Sequence, residues 1–184
     1  LSYVEQKSFI TDDPRKVIEA DGVVLPGVGA FGDAIKRLDD TGLGDAFREA
    51  VNLGKPCMGI CLGLQLLFSE SDEGGLYKGL DIVKGRVVRF TNQLKVPHMG
   101  WNQLNIKQKE SPLFRDIPEG TYVYFVHSYY VAPDDGSVIA ATTNYGIDFT
   151  SVIAKDNLFG TQFHPEKSQN LGLQILRNFG LLVK

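Results

Sequence analysis

The chain is poor in the residue types that most often perform covalent or metal chemistry. Its 184 residues include two cysteines, three histidines and one tryptophan, and the formal net charge is −3. No apolar run approaches the roughly 18–20 residues needed to cross a bilayer, so no membrane span is predicted. The acidic balance lacks the basic surface typical of nucleic-acid binding, and no G-x-x-x-x-G-K-S/T loop is present to cradle a phosphate. With 43% apolar residues, the composition favours one globular domain with a substantial core.

The most informative segment is residues 55–69, KPCMGICLGLQLLFS. Gly59 and Gly63 flank Cys61 in the pattern G-x-C-x-G, which is typical of a nucleophile elbow between a buried strand and a helix. Glycine suits both positions because a β-carbon would clash in so tight a turn. A thiol at a helix N-terminus is placed where a thiolate and a developing oxyanion are favoured. The alternative is a buried structural cysteine in an ordinary strand–helix turn.

A base and an orienting carboxylate are expected close together in His164-Pro165-Glu166. A residue before proline is held in extended geometry, and residues i and i+2 of an extended segment project to the same side. The Glu166 carboxylate can therefore fix the tautomer of His164. With Cys61 as nucleophile these residues predict covalent catalysis by a triad, although a surface His-Pro-Glu turn is the alternative when this motif is taken singly.

A glycine-rich loop, Pro26-Gly27-Val28-Gly29, follows the apolar run 22–25. Such a loop can direct a backbone N–H at a substrate carbonyl. Together with the N–H of Leu62, directly after the nucleophile, the backbone at Gly27 and Val28 would form an oxyanion hole with two donors. Taken alone, the segment also fits a plain glycine turn.

The two cysteines do not fit a metal site or a structural disulfide. A structural zinc needs four converging ligands, and no compact Cys/His cluster completes a set around Cys57 and Cys61. A disulfide between them would remove the nucleophile, so the pair favours a reducing, cytoplasmic location. No metal and no organic cofactor are predicted.

The pattern of apolar residues predicts a three-layer α/β domain with a mixed sheet and an antiparallel addition. The helices are predicted over residues 31–39, 43–53, 62–69 and 170–182, with a further helix start at Asp12-Asp13-Pro14. The strands are predicted over residues 21–25, 57–60, 85–90, 101–106, 121–131, 138–143, 150–155 and 158–163. The nucleophile and the oxyanion loop then lie at carboxyl ends of strands, where open α/β sheets bind ligands.

Taken together, the motifs resemble a known family. The segments GICLGLQ (59–65), PGVG (26–29) and His164-Pro165-Glu166 are similar to those of class I (triad) glutamine amidotransferases. The segments PHMGWN (97–102), His127-Ser128-Tyr129 and GTQFHPEKS (160–168) further resemble the glutaminase subunits of imidazole glycerol phosphate synthase. The resemblance covers nearly the whole chain and implies a flavodoxin-like α/β/α fold.

The resemblance implies an activity and several further site residues. The family hydrolyses L-glutamine to glutamate and ammonia through a cysteine thioester. Its ammonia passes to a (β/α)₈-barrel cyclase subunit, which forms imidazole glycerol phosphate in histidine biosynthesis. Matching positions assign substrate contacts to Gln65, Ser128 and Tyr129. They assign the partner interface to Trp101, Tyr124 and Lys167.

The first residues depart from the family pattern. The chain begins at Leu1 without methionine, whereas the family begins with an inner strand, a glycine-rich turn and a first helix. We therefore expect residues 1–184 to form a single amidotransferase domain that lacks that strand and most of that helix in this sequence. The alternatives are a cysteine peptidase, the glutaminase of another synthase, or a catalytically silent regulatory subunit, the last disfavoured because Cys61, His164 and Glu166 are all present.

Overall fold

The computed structural model describes residues 7–91 and 94–183. Its helices are α1 (Pro14–Glu19), α2 (Phe31–Thr41), α3 (Leu43–Asn52), α4 (Leu62–Leu66) and α5 (Gln169–Gly180). Its strands are β1 (Val23–Gly27), β2 (Cys57–Cys61), β3 (Phe68–Ser71), β4 (Tyr77–Lys78), β5 (Val83–Arg89), β6 (His98–Gln103), β7 (Asn105–Ile106), β8 (Tyr122–His127), β9 (Tyr129–Pro133), β10 (Ile139–Asn144), β11 (Asp148–Lys155) and β12 (Leu158–Thr161).

The strands form one large mixed sheet and one small antiparallel ribbon. The large sheet has the order β1-β2-β12-β11-β9-β5-β3-β4, with β10 paired to β11 and β7 paired to β10. Strands β1, β2 and β12 run parallel, and most other pairs are antiparallel. The ribbon consists of β6 and β8. The predicted α/β class, mixed sheet and antiparallel addition are thus confirmed.

Two apolar cores lie on opposite faces of the sheet, because successive strand residues point to opposite sides. In β2, Cys57 belongs to the core beneath α2 and α3, and the next residue, Met58, belongs to the core beneath α5. Helix α5 contributes Ile175 and Phe179 to the second core. The sheet lies between the two helical layers and holds β2, which ends in Cys61, between β1 and β12.

Three predicted elements differ from the structure. The helix predicted over residues 62–69 ends at Leu66, and Phe68–Ser71 instead form β3, paired with β4 and β5. The strand predicted over residues 121–131 is two strands, β8 and β9, which lie in different sheets. The strand predicted over 101–106 begins earlier, at His98, and is interrupted before the short β7. Each error concerns a segment whose division into elements depends on tertiary pairing rather than on local pattern.

The other predicted helices and strands have bounds close to those of the observed elements. The predicted helix start before Pro14 is confirmed, since the Asp13 side chain accepts a hydrogen bond from the backbone N–H of Arg15 at 3.0 Å. The prediction about how the chain begins concerns residues 1–3, which lie outside the described residues. Within the described part, β1 is an edge strand paired with β2. None of the helices in the described ranges combines the length and apolarity needed to span a bilayer.

Candidate active site

Cys61 occupies the sharp turn between β2 and α4. Its backbone has φ 54° and ψ −111°, a conformation that non-glycine residues rarely adopt. Strained backbone of this kind concentrates at functional sites because the surrounding packing enforces it. Here β2 is held between β1 and β12, and Gly27 of β1 is paired with Cys61. The sheet therefore fixes the direction in which the thiol projects.

The two elbow glycines allow close backbone contacts. A β-carbon on Gly59 would lie 2.7 Å from the carbonyl oxygen of Gly63, and one on Gly63 would lie 1.8 Å from the carbonyl oxygen of Leu25. Both neighbours are backbone atoms, which cannot rotate out of the way. The G-x-C-x-G pattern therefore reflects how closely α4 packs on β1 and β2.

The side chains of His164 and Glu166 meet as the sequence predicts. His164 has extended φ and ψ of −97° and 97°, and its Nδ1 lies 2.8 Å from Oε1 of Glu166. A carboxylate only accepts hydrogen bonds, so Nδ1 carries the proton and Nε2 remains for Cys61. The loop is held from β8, because the His164 N–H donates to the Tyr124 carbonyl at 3.0 Å.

The charges of the site are coupled. A hydrogen bond with the Cys61 side chain, and next the one with Glu166, raise the pKa of His164 to about 9 against the opposing effect of burial. Burial acts to raise the pKa of Glu166, but hydrogen bonding and the charge of His164 bring it below its ordinary value. At neutral pH the site therefore holds an imidazolium between a sulfur and a carboxylate.

A cavity of about 380 Å³ opens beside Cys61. Most of the residues predicted from sequence to act on substrate line it: Val28, Cys61, Leu62, Gln65, Ser128, Tyr129 and His164. A second, more apolar cavity of about 290 Å³ adjoins it and is lined by the remaining two, Gly27 and Glu166, and again by Val28 and His164. His164 thus lies between the two cavities, and the structure brings the predicted catalytic and substrate residues together.

The three predicted interface residues lie outside both cavities. Trp101 and Tyr124 are cross-strand partners on the β6–β8 ribbon, with ring centroids 5.9 Å apart in an edge-to-face arrangement. Lys167 is exposed and follows the His164 loop directly. Met99 and Tyr122 project from the same side of the ribbon. We call Met99, Trp101, Tyr122 and Tyr124 the aromatic face; Met99 is 62%, Trp101 45% and Tyr122 56% exposed.

His98 and His127 form a buried neutral pair at the wall of the main cavity, which His127 lines. His127 Nδ1 donates to the Tyr129 carbonyl at 2.7 Å, which leaves its Nε2 to accept from His98 Nδ1 at 3.0 Å. Burial lowers the pKa of His98 to about 4 and that of His127 to about 3. Neither imidazole is therefore available as an acid at neutral pH.

Two residues at the site were not identified from sequence. Glu73 lines the main cavity while one of its oxygens, Oε2, accepts from the N–H of Phe31 at 2.9 Å. No local pattern marks it, because the contact joins segments 42 residues apart. Gln162 places its Nε2 3.8 Å from Cys61 Sγ, and no local pattern marks it either, because the two residues are 101 positions apart. Across residues 7–91 and 94–183, no three His, Cys, Asp or Glu side chains converge as metal ligands.

Replacing Glu166 by glutamine is expected to move the alkaline limb of the kcat/KM profile to lower pH by about one unit. The imidazolium would lose an accepting carboxylate and a negative charge, so it would release its proton earlier. The Glu166 side chain is 48% exposed, so water screens its charge. We expect kcat to fall roughly 100-fold, mainly because His164 is no longer held in its orientation. The measurement is turnover across pH 6–10.

Glu49→Gln provides the matched control for this experiment, since it removes one carboxylate from α3, away from the site. That variant should keep the wild-type profile. An unchanged alkaline limb in Glu166→Gln would show that Glu166 does not act on His164.

Comparison with known proteins gives one consistent family. A family model described as glutamine amidotransferase class-I matches residues 3–183. The imidazole glycerol phosphate synthase subunit HisH of Moorella thermoacetica is 54% identical over 175 residues, which cover 95% of this chain and 83% of that protein. The same subunit of Geobacter sulfurreducens is 51% identical over 181 residues, covering 95% and 86%. A crystal structure of a glutamine amidotransferase matches with a TM-score of 0.75 at 16% identity, over 100% of this chain and 89% of that one, which supports the fold alone.

Proposed function

The chain belongs to the class I glutamine amidotransferase family, among the HisH subunits of imidazole glycerol phosphate synthase, and on this premise we propose that it hydrolyses L-glutamine with Cys61 as the nucleophile. The observation that carries the proposal is the convergence of Cys61, His164 and Glu166 where the two cavities meet. The reaction yields glutamate and ammonia. The ammonia is the product that the partner subunit consumes.

The first step is attack of the Cys61 sulfur on the side-chain amide carbon of glutamine. The imidazolium form of His164 supports a thiolate beside it, because opposite charges stabilise each other where burial limits solvent. As the C–S bond forms, the amide carbonyl becomes an oxyanion. The N–H of Leu62 faces no intrahelical acceptor at the first position of α4, and it is the first donor proposed for this oxygen.

The second oxyanion donor is assigned to the loop after β1. Val28 lines both cavities and is 81% exposed, so its backbone is accessible to a ligand. Gly27 lies close to Leu62, since a β-carbon at Gly27 would lie 2.9 Å from the Leu62 Cβ. The loop and the elbow are therefore close enough to bind one oxygen together.

The tetrahedral intermediate then collapses with loss of ammonia. His164 donates its Nε2 proton to the leaving nitrogen as the C–N bond breaks, which leaves a thioester on Cys61. The neutral imidazole next takes a proton from water, the hydroxide attacks the thioester, and glutamate departs. His164 returns to the imidazolium and Cys61 to the thiolate, so protons balance over the cycle.

Recognition of the amino-acid end of glutamine is assigned to the far side of the cavity. Glu73 places a carboxylate there, and a carboxylate is complementary to the substrate ammonium group. Gln65, Ser128 and Tyr129 supply amide, hydroxyl and backbone groups around the same space. These polar groups fix the orientation of a small zwitterion within a cavity of suitable volume.

We assign the partner surface to the aromatic face and Lys167. Contiguous exposed aromatic side chains mark interaction sites, and Trp and Tyr are enriched among residues that dominate binding energy. The partner by resemblance is a (β/α)₈-barrel cyclase. Ammonia released into water at neutral pH becomes ammonium and loses its nucleophilicity, which favours transfer along a closed path.

The two unpaired cysteines, Cys57 and Cys61, favour a location in the reducing cytoplasm.

The proposal is tested by measuring glutamate formed from glutamine by the protein alone and with a matching barrel cyclase and its nucleotide. We expect low activity alone and strong stimulation by the complete complex. Absence of glutaminase activity under every condition would contradict the proposal and favour a silent regulatory subunit. Cleavage of a peptide substrate would favour a cysteine peptidase, and stimulation by a different synthase would favour the glutaminase of that synthase.

Trp101→Ala is expected to weaken stimulation by the cyclase by at least about 10-fold at limiting partner concentration, as loss of an aromatic anchor typically does. The basal activity should change little, because Trp101 does not line either cavity. Titration of the cyclase against glutamate production measures the effect. Leu53→Ala removes an exposed apolar side chain from outside the aromatic face and should leave the titration unaltered. Equal titrations for both variants would place the interface elsewhere.

A further inference from the structure

The side chain of Gln162 is buried beside the nucleophile. It is fully inaccessible to solvent, and it follows β12 at the start of the segment that leads to His164. Its backbone N–H donates to the Ser151 carbonyl at 2.9 Å, which anchors it to β11. A buried amide in this position must find hydrogen-bond partners, because leaving it unpaired is costly. The partners it finds are the side chains of Gln65 and Cys61.

The direction of each hydrogen bond follows from one backbone carbonyl. The Tyr129 carbonyl can only accept, so the atom of Gln65 that lies 3.0 Å from it is its NH₂ group. That same NH₂ group lies 3.1 Å from the Gln162 side chain, which must therefore present its oxygen. The remaining NH₂ group of Gln162 then faces Cys61 Sγ at 3.8 Å. The orientation of both amides is thus set by the fold.

This arrangement gives the sulfur a second donor besides His164. Cys61 is 8% exposed and Gln162 is fully buried, so little water competes for these bonds. A donor near a thiolate favours the charged form and restricts the rotation of the side chain that carries it. The same amide also holds Gln65, which lines the substrate cavity.

We propose that Gln162 is a positioning residue for glutamine hydrolysis, whose amide joins the nucleophile Cys61 to the substrate-contacting Gln65 and sets both in one arrangement. This inference rests on the proposed function, because it takes Cys61 as the nucleophile. The position of Gln162 also determines which group Gln65 presents to the ligand. Both N–H groups of Gln65 are engaged by Tyr129 and Gln162, so Gln65 offers its oxygen to the cavity and meets an N–H group of the ligand.

The test compares Gln162→Met and Gln162→Glu with wild type in the full chain and its cyclase complex. Methionine has a similar length and no donor. We expect Gln162→Met to lower kcat/KM for glutamine about 10-fold, and to slow alkylation of Cys61 by iodoacetamide at pH 7 by a similar factor, as loss of a charged hydrogen bond does. Gln174→Met removes an amide from α5 and should change neither rate.

Gln162→Glu separates positioning from a purely structural role. Its carboxylate cannot donate to the sulfur, whereas its protonated acid can, so its alkylation rate relative to wild type should rise as the pH is lowered. A merely structural residue would show no such pH dependence. If Gln162→Met does not fold, as judged by circular dichroism, the pH dependence of Gln162→Glu decides the question.

Two outcomes would overturn the inference. One is a folded Gln162→Met with alkylation and kcat/KM within twofold of wild type, and the other is a Gln162→Glu alkylation rate that keeps a constant ratio to wild type across pH. The alkylation readout does not depend on glutaminase activity. A protein without glutaminase activity whose alkylation still depends on Gln162 would contradict the proposed function and support the positioning of Cys61.

Discussion

Replacing Cys61 by serine is expected to lower kcat for glutamine hydrolysis by at least about a thousandfold, because removal of a catalytic nucleophile costs at least this much in comparable enzymes. The thiol beside His164 can transfer its proton before substrate arrives, whereas a serine hydroxyl loses its proton only during attack. The substitution changes one atom and leaves the strained turn with a residue of almost the same size. The measurement is glutamate production in the complex with the cyclase and its nucleotide.

Cys57 offers an internal control on the same strand. It is fully buried beneath α2 and α3, and burial raises the pKa of its thiol to about 12, so it is unreactive at neutral pH. Cys57→Ala should retain most of the activity, and iodoacetamide should label Cys61 in preference to Cys57. Retention of more than a tenth of wild-type activity by Cys61→Ser would place the nucleophile elsewhere.

Gly63→Ala is expected to destabilise the fold by about 3 kcal/mol, near the upper end for overpacking a close contact. The new β-carbon would lie 1.8 Å from the Leu25 carbonyl oxygen, so α4 and β1 must separate. That movement displaces Cys61 and Leu62 relative to the oxyanion loop, and a misplacement of about 1 Å costs roughly 100-fold in rate. Thermal unfolding and glutamate production measure the two effects.

Gly136→Ala is the matched control, since no atom lies within 4 Å of the position its β-carbon would take and its φ is ordinary. That variant should unfold at the wild-type temperature or slightly above, because alanine restricts the unfolded chain more than glycine does. Wild-type stability and turnover in Gly63→Ala would show that the elbow tolerates a wider turn than its backbone contacts indicate.

Much of the site was predictable because its determinants are local. The elbow lies within Gly59–Gly63, and His164 and Glu166, predicted as base and orienting carboxylate, are two residues apart. In both cases the backbone geometry follows from glycine and proline at fixed offsets. The predicted meeting of His164 and Glu166 is confirmed at 2.8 Å. The roles assigned to Ser128, Tyr129 and Lys167 stay predictions.

The errors share one cause. Residues 121–131 form a continuous run suited to a strand, yet the chain leaves the β6–β8 ribbon after His127 and enters the large sheet at Tyr129. The predicted helix includes residues 68 and 69, yet residues 68–71 form β3 and pair with β5. β-Propensity and periodicity describe how a segment fits a sheet, and they do not specify which neighbour it will have.

The sequence by itself determined the fold class and indicated the residues proposed as nucleophile, base and orienting carboxylate, because each motif depends on residues a few positions apart. Only the tertiary structure decided that Gln162 lies against Cys61, 101 residues away, and that Glu73 reaches the cavity from beside Phe31. It also decided that His98 and His127 form a neutral pair, which supplies no acid at neutral pH. Contacts of this kind depend on strand order and on burial. Neither is encoded in the local sequence, because both are set by how distant segments pack in the sheet.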